Sequence, residues 1–223
     1  MDFTVLSALR LSVLVAGVST VFVVIFGITI GFALARFRFR GKELLDAFVT
    51  LPLVLPPTVT GFYLLILLGR NGLIGKYLYD FFGLQITFTP FAAIIAAFVM
   101  SLPLMIKTSR ASIESVNREF EFAAYTLGKN KFATFFAVTL PLAKRGIIAG
   151  TVLSFARALG EFGATLMLAG NIAEKTQTMP LAIYEAVNAG DEQQAQFLAI
   201  ILTGVSVAAI YLTNKLTNRA ANY

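Results

Sequence analysis

Five apolar runs recur along this chain, and each approaches or exceeds the length that a helix needs to cross a bilayer. They are Leu11 to Ala35, Leu45 to Leu68, Pro90 to Ile106, Gly146 to Leu168 and Phe197 to Leu212. A hydrocarbon core about 30 Å thick takes about 20 helical residues at 1.5 Å each. Lys, Arg, Asp and Glu supply only 13% of the residues and the mean hydropathy is +0.79. A soluble domain carries about a quarter of its residues as charges, so this chain cannot clothe itself in a normal wet surface. The expectation is an all-α, polytopic membrane protein of about five spans. The first run is too long for a signal-peptide core and reads as a retained span.

Orientation follows from where the basic residues fall. Arg36, Arg38, Arg40 and Lys42 follow the first run. Lys107, Arg110, Arg118, Lys129, Lys131, Lys144 and Arg145 follow the third, and Lys215 and Arg219 follow the last. The other two connections hold only Arg70, Lys76 and Lys175, with Asp80, Glu174, Glu185, Asp191 and Glu192 beside them. Basic residues are retained on the cytoplasmic side in short loops, which puts the N-terminus outside and the C-terminus inside. The formal charge of +6 is spread over these connections and forms no polar stripe, so no nucleic acid is expected as a partner. With no cysteine and no histidine, the usual transition-metal ligands and the commonest general base are missing, and no metal or cofactor is expected.

Local signals divide the chain further. Thr89-Pro90 reads as a helix cap followed by proline at the first helical position, where a missing N–H is harmless. Asn71-Gly72 is a turn signal, and Leu73 to Phe82 reads as a short helix at the outer surface or as an ordered loop. In the second run, Pro52, Pro56 and Pro57 remove backbone donors and clash with preceding turns, so a straight helix is not expected there. The freed carbonyls need protein or a water-lined cavity, so the break is either a pore or gate element or a bent structural helix. In the fourth run, Arg157 and Glu161 are four positions apart and can pair on one helix face, lowering the cost of charge at membrane depth. Two roles stand open for the pair, one locking neighbouring helices and one beside a translocation path. Gly160 and Gly163 allow close helix contact or a break in this span. Met179 to Val187 is apolar enough to dip back toward the membrane.

Lys107 to Arg145 is too polar to cross and too patterned for a slack loop. Phe120, Ala123, Ala124, Leu127 and Gly128 would cluster on one helical side, with Arg118, Glu119 and Glu121 offering charge to another. A small apolar knob on a basic membrane base suits either a peripheral partner or a plain interfacial helix.

At this segment the sequence resembles the permease subunits of binding-protein-dependent ABC importers. Their cytoplasmic signature runs Glu-Ala-Ala, then Gly four residues beyond, then a hydrophobic-x-Leu-Pro ending. Here Ala123-Ala124, Gly128 and Val138-Thr139-Leu140-Pro141 stand at that spacing, while Phe122 replaces the Glu and the adjacent Glu121 offers a similar surface charge. Leu51 to Pro57, Met100 to Leu104, Gly150 to Asn171 and Lys175 to Tyr184 resemble the molybdate branch of that family, with the match starting near Leu9. The sulfate and thiosulfate branch is the alternative; a secondary transporter or a non-transporting scaffold explains less.

The resemblance implies a MetI-like permease fold with a cytoplasmic coupling helix, in one membrane domain whose coupling segment covers about 117–141. It implies two copies of the chain around a path for molybdate or tungstate, set in membrane lipid. Two cytoplasmic ABC ATPase subunits would dock through Phe120, Glu121, Ala123, Ala124, Gly128, Leu140 and Pro141, and an external molybdate-binding protein would deliver the anion. Gly128 is expected to permit close backbone approach, and Pro141 to end or bend the segment ahead of Lys144 and Arg145. No phosphate-binding Gly-rich loop with its Lys occurs, so nucleotide chemistry belongs to the partner and this chain is not an enzyme.

Overall fold

The computed structural model describes residues 3–219; side chains are described for 5–211 and for Lys215, which leaves that of Arg219 outside the described residues. Among them all regular structure is helical. The first span is one helix, α1 (Phe3–Arg36), whose 34 residues make it about 51 Å long at 1.5 Å per residue. The second is broken. Its halves, α2 (Lys42–Val54) and α3 (Pro57–Leu68), meet at an angle of 116°. Leu55 and Pro56 are extended between them, and Pro57 opens α3 at its first position. Prolines in this register leave no donor to continue the ladder, so the break was legible from their spacing.

Beyond the Asn71-Gly72 turn lies the short α4 (Gly75–Phe82). α5 (Pro90–Glu114) starts as expected: Ala92 N–H donates to Thr89 Oγ1 at 3.4 Å. α5 is the central helix, packed against α1, α8 and α9. Its Ala92, Ala93, Ala96, Ala97 and Ser101 are fully buried. Lipid tails are as apolar as leucine, so helices in a bilayer gain contact mainly by bringing backbones close, and this stripe of small residues permits that. Ser101 and Ser109 donate their hydroxyls to the carbonyls of Ala97 and Met105, each four residues back, so neither of these buried hydroxyls is stranded.

After α5 come α6 (Arg118–Thr126) and the single turn α7 (Lys131–Thr134), which runs through a π-helical turn (Phe135–Thr139) into α8 (Leu140–Leu159). Lys131 to Leu159 is therefore one helical run of 29 residues, apolar enough to span. This corrects the expectation that the polar segment extends to Arg145 and that Pro141 ends or bends it. Pro141 sits at the second position of α8. The turn before it is wide, with Leu140 N–H reaching the Phe135 carbonyl five residues back, which relieves the clash a proline ring makes with the carbonyl four positions earlier.

The fourth span ends at Leu159, short of the expected Leu168, and α9 (Gly163–Ala169) follows as a separate short helix, so of the two readings open at Gly160 and Gly163 the chain shows a break. α10 (Met179–Asn188) folds in against α1 and α11 (Glu192–Arg219). Met179 and Leu181 are wholly buried, and Met179 N–H donates to Ser12 Oγ at 2.7 Å. Among the described residues four unbroken helices are long and apolar enough to cross a membrane, and the bent α2–α3 pair brings the count to five.

α3 packs on α9 through Gly61. A Cβ there would lie 2.7 Å from Ala164 Cα and 2.8 Å from Met167 Cβ. Gly61→Val is expected to cost about 1–3 kcal/mol, as overpacking does, read as a lower thermal midpoint of the detergent-solubilised chain. Gly204→Ala, whose Cβ meets nothing within 4 Å, is the matched control; equal midpoints for both would refute the close contact.

Candidate functional site

Two groups of the residues singled out in the sequence come together, one at the end of α1 and one at the break that follows α8. At the first, α6 is capped by Asn117, whose Oδ1 accepts from Glu119 N–H at 3.0 Å. It ends in a Schellman turn: Gly128 N–H donates to Tyr125 O and Lys129 N–H to Ala124 O, both at 3.0 Å. Gly128 has φ +81°, and a Cβ placed on it would meet nothing within 4 Å. Within the chain the glycine is thus required by the left-handed turn, and close backbone approach is not its reason.

At about 100° per residue the short helix divides into faces. Glu121 and Ala124 face inward and are buried. Phe120 and Leu127 are 57% and 82% exposed and share a flank with exposed Ala123. Arg118, Phe122 and Tyr125 occupy the opposite flank. The predicted knob is therefore split: its Ala124 belongs to the packing face. Leu140 packs against the core around Ile113 and Ile147, whereas Pro141 is exposed.

Glu121 is not the surface charge that the sequence suggests. Only 8% of its side chain is exposed. Arg36 donates to Glu121 Oε1 at 3.0 Å, and Thr139 Oγ1 donates to the same oxygen at 2.7 Å. The guanidinium, itself 9% exposed, also donates to the Val116 carbonyl at 3.0 Å. One carboxylate thereby joins the end of α1, α6 and the π-helical turn. Neither Arg36 nor Thr139 stands out in the sequence as a site residue, because a partner 85 positions away leaves no trace in local spacing.

The second group lies where α8 breaks. Arg157 Nη1 is 2.6 Å from Glu161 Oε2, an ion pair without hydrogen-bond alignment, with side-chain exposures of 27% and 1%. Glu161 lies past the end of α8, and its other oxygen, Oε1, accepts from Ala164 N–H at 2.8 Å at the start of α9. The pair spans a break, where the sequence suggested a continuous helix face. Gly163 abuts α3: a Cβ on it would stand 2.9 Å from Pro57 Cβ and 3.2 Å from Thr58 N. Pro57 thus meets Gly163 across two broken spans, with Pro56 next to it in the chain and Gly160 exposed three positions before Gly163. Pro52 does not join them. It lies inside α2, a helix with no buried residue. α2 is held to α5 by Asp46, which takes Lys107 at 2.7 Å and Arg110 at 3.1 Å.

No group of three or more His, Cys, Asp or Glu able to hold a metal occurs among the described residues.

Comparison with known proteins places this geometry. Residues 27–221 match the family described as the binding-protein-dependent transport system inner membrane component. The chain is 43% identical over 215 residues to the molybdenum transport system permease protein ModB of Haemophilus influenzae, covering 96% of this chain and 94% of that one. It is 44% identical over 207 residues to ModB of Escherichia coli strain K12, covering 92% and 90%. The sulfate transport system permease protein CysT of Salmonella typhimurium is 36% identical over 215 residues, covering 96% of this chain and 77% of that one. Among solved structures, the MetNI methionine ABC transporter superposes with a TM-score of 0.77 at 14% identity, covering 99% of both chains. A bacterial ABC transporter importing the acidic polysaccharide alginate does so with a TM-score of 0.80 at 15% identity, covering 98% of this chain and 80% of that one. This chain belongs to the family of inner membrane components of binding-protein-dependent transport systems, and it has the fold of ABC importer permeases.

Proposed function

We propose that this chain is the permease subunit of an ATP-driven importer of molybdate and its analogue tungstate, working as two copies with two cytoplasmic ATPase subunits and an external binding protein. One observation carries the reading: the uncovered flank of α6 projects from a chain 43–44% identical, almost end to end, to two molybdenum transport permeases. The sulfate permease is less similar and exceeds this chain in length. The alginate importer, which shares the fold, has been captured with a substrate-loaded periplasmic protein, and delivery from such a protein is the route proposed here.

In this reading the N-terminus is outside and the basic connections are cytoplasmic, as the distribution of Lys and Arg supports. The coupling segment, 117–141, presents Phe120, Ala123 and Leu127 to the ATPase. Movement imposed on α6 passes through Glu121 to Arg36 on α1 and to Thr139 ahead of α8. At the break after α8, the contact of Pro57 with Gly163 and the adjoining Arg157–Glu161 pair form the gate. Arg157 is largely neutralised by its carboxylate, which suits a path that must release a dianion as readily as it admits it. ATP hydrolysis is performed by the partner.

The test is uptake of labelled molybdate in cells that lack their own permease, complemented with this chain and its ATPase and binding protein. Uptake should survive an excess of sulfate, and Leu127→Asp should abolish it while the protein remains in the membrane. Full competition by sulfate would reassign the substrate, and unaltered uptake by the Leu127 variant would remove the docking flank.

A further inference from the structure

The flank of α6 that faces away from the proposed ATPase contact borders a cleft of ≈ 180 Å³ at the end of the first span. Its floor is the Arg36–Glu121 pair with Thr139, already mutually satisfied. Its walls are aromatic: Phe32 meets Phe37 at 5.8 Å and Phe135 at 4.7 Å between ring centres, and Phe122 meets Tyr125 at 6.3 Å. Its remaining lining is two cations, Arg118 and Lys131, and neither has an ion-pair partner among the described residues. Phe37 and Phe122 are 44% and 58% exposed. The turn beside the cleft adds Arg38, Arg40 and Lys42, all without an acidic partner there.

We propose that this cleft holds an anionic phospholipid of the inner leaflet, its phosphate between Arg118 and Lys131 and an acyl chain along the aromatic walls. Phe37 is the first residue beyond a membrane-crossing helix, and in this proposal the cleft lies at headgroup depth. Aromatic rings and basic side chains at that level match a molecule with a charged head and an apolar tail. A free oxyanion would satisfy the cations but gain nothing from the rings. A zwitterionic lipid would leave the positive charge uncompensated. The acidic surface of a protein partner is disfavoured because the exposed apolar knob, Phe120 and Leu127, is on the other side of α6. A lipid so placed braces the cytoplasmic end of α1 against α6, the two elements that Glu121 ties together. The assignment to the inner leaflet rests on the orientation proposed above.

The chain contains neither tryptophan nor cysteine, so single reporters are unambiguous. Phe37→Trp, and separately Tyr125→Trp, placed in the full chain and reconstituted in vesicles of phosphatidylglycerol and phosphatidylcholine, report lipid contact through quenching by brominated acyl chains. At fixed overall composition, bromine on the phosphatidylglycerol is expected to quench about threefold more than bromine on the phosphatidylcholine, since a basic residue at the surface favours anionic lipid severalfold. Adding Arg118→Gln and Lys131→Gln should erase that difference. Equal quenching by the two lipids in both reporters would overturn the site, and so would the absence of quenching by either, which would mean that protein covers the cleft. Labelling of a Lys129→Cys variant from one side of the membrane tests the orientation independently: a flipped chain would keep the lipid preference while changing the labelled side.

Discussion

Replacing Arg157 with alanine is expected to destabilise the protein by about 3–5 kcal/mol, the usual cost of stranding one member of a buried ion pair. The side chain of Glu161 is 1% exposed, and its Oε2 has only the guanidinium 2.6 Å away to offset its charge. Water cannot reach it. The reverse change should be milder. Glu161→Gln keeps an oxygen that accepts from Ala164 N–H, a bond of 2.8 Å in the native chain. Arg157, 27% exposed, retains a route to water. Arg157→Met combined with Glu161→Gln removes both charges and should recover much of the loss. Thermal unfolding of the four proteins in one detergent gives the ordering directly. If Arg157→Ala melts with the native chain, the pair does not hold α8 to α9.

Glu121→Ala is expected to cost a similar amount, about 3–5 kcal/mol, but to act elsewhere. It strands Arg36, whose side chain is 9% exposed, and removes the acceptor of the Thr139 hydroxyl. The flank carrying Phe120 and Leu127, proposed above as the ATPase contact, is untouched, so the ATPase should still bind while its cycle no longer drives α1 and α8. The expected result is ATP hydrolysis at a near-native rate with molybdate uptake lost, together with faster proteolysis between Thr126 and Lys131. Glu121→Gln, which keeps an acceptor for Arg36 and Thr139, should fall between. Unchanged uptake per ATP in the alanine variant would show that the carboxylate only fills space.

These two carboxylates show how far local sequence reaches. Glu161 was identified with its true partner because four positions on a helix place two side chains within reach of each other, and the break at Gly160 altered the path between them without parting them. Glu121 reads locally as a surface charge because its partner lies 85 positions away. Periodicity over a nine-residue helix places it among polar neighbours. Only the packing of α1 beside the π-helical turn turns that side chain inward. Gly128 is marked by spacing, but its positive φ emerges only once the chain reverses after α6.

The segment between Lys107 and Arg145 shows the same divide. Its polarity announced a stretch outside the bilayer, and α6 is there. Hydropathy could not place the start of the next span, because Lys144 and Arg145 interrupt a helix that is already continuous from Lys131. Long basic side chains can lie along a helix and reach the interface, so their presence does not end it.

From the residues alone came the five apolar runs, the cap at Thr89-Pro90 and the break at Pro56-Pro57, while Gly160 and Gly163 left close contact and a break both open. Each is written within a few neighbouring residues, as a missing donor, a hydropathy run or a glycine. Which broken ends face one another, Pro57 against Gly163, and which carboxylate is buried, Glu121 beneath Arg36, were settled by helix packing, because contact between distant segments depends on how closely backbones approach and leaves no local mark.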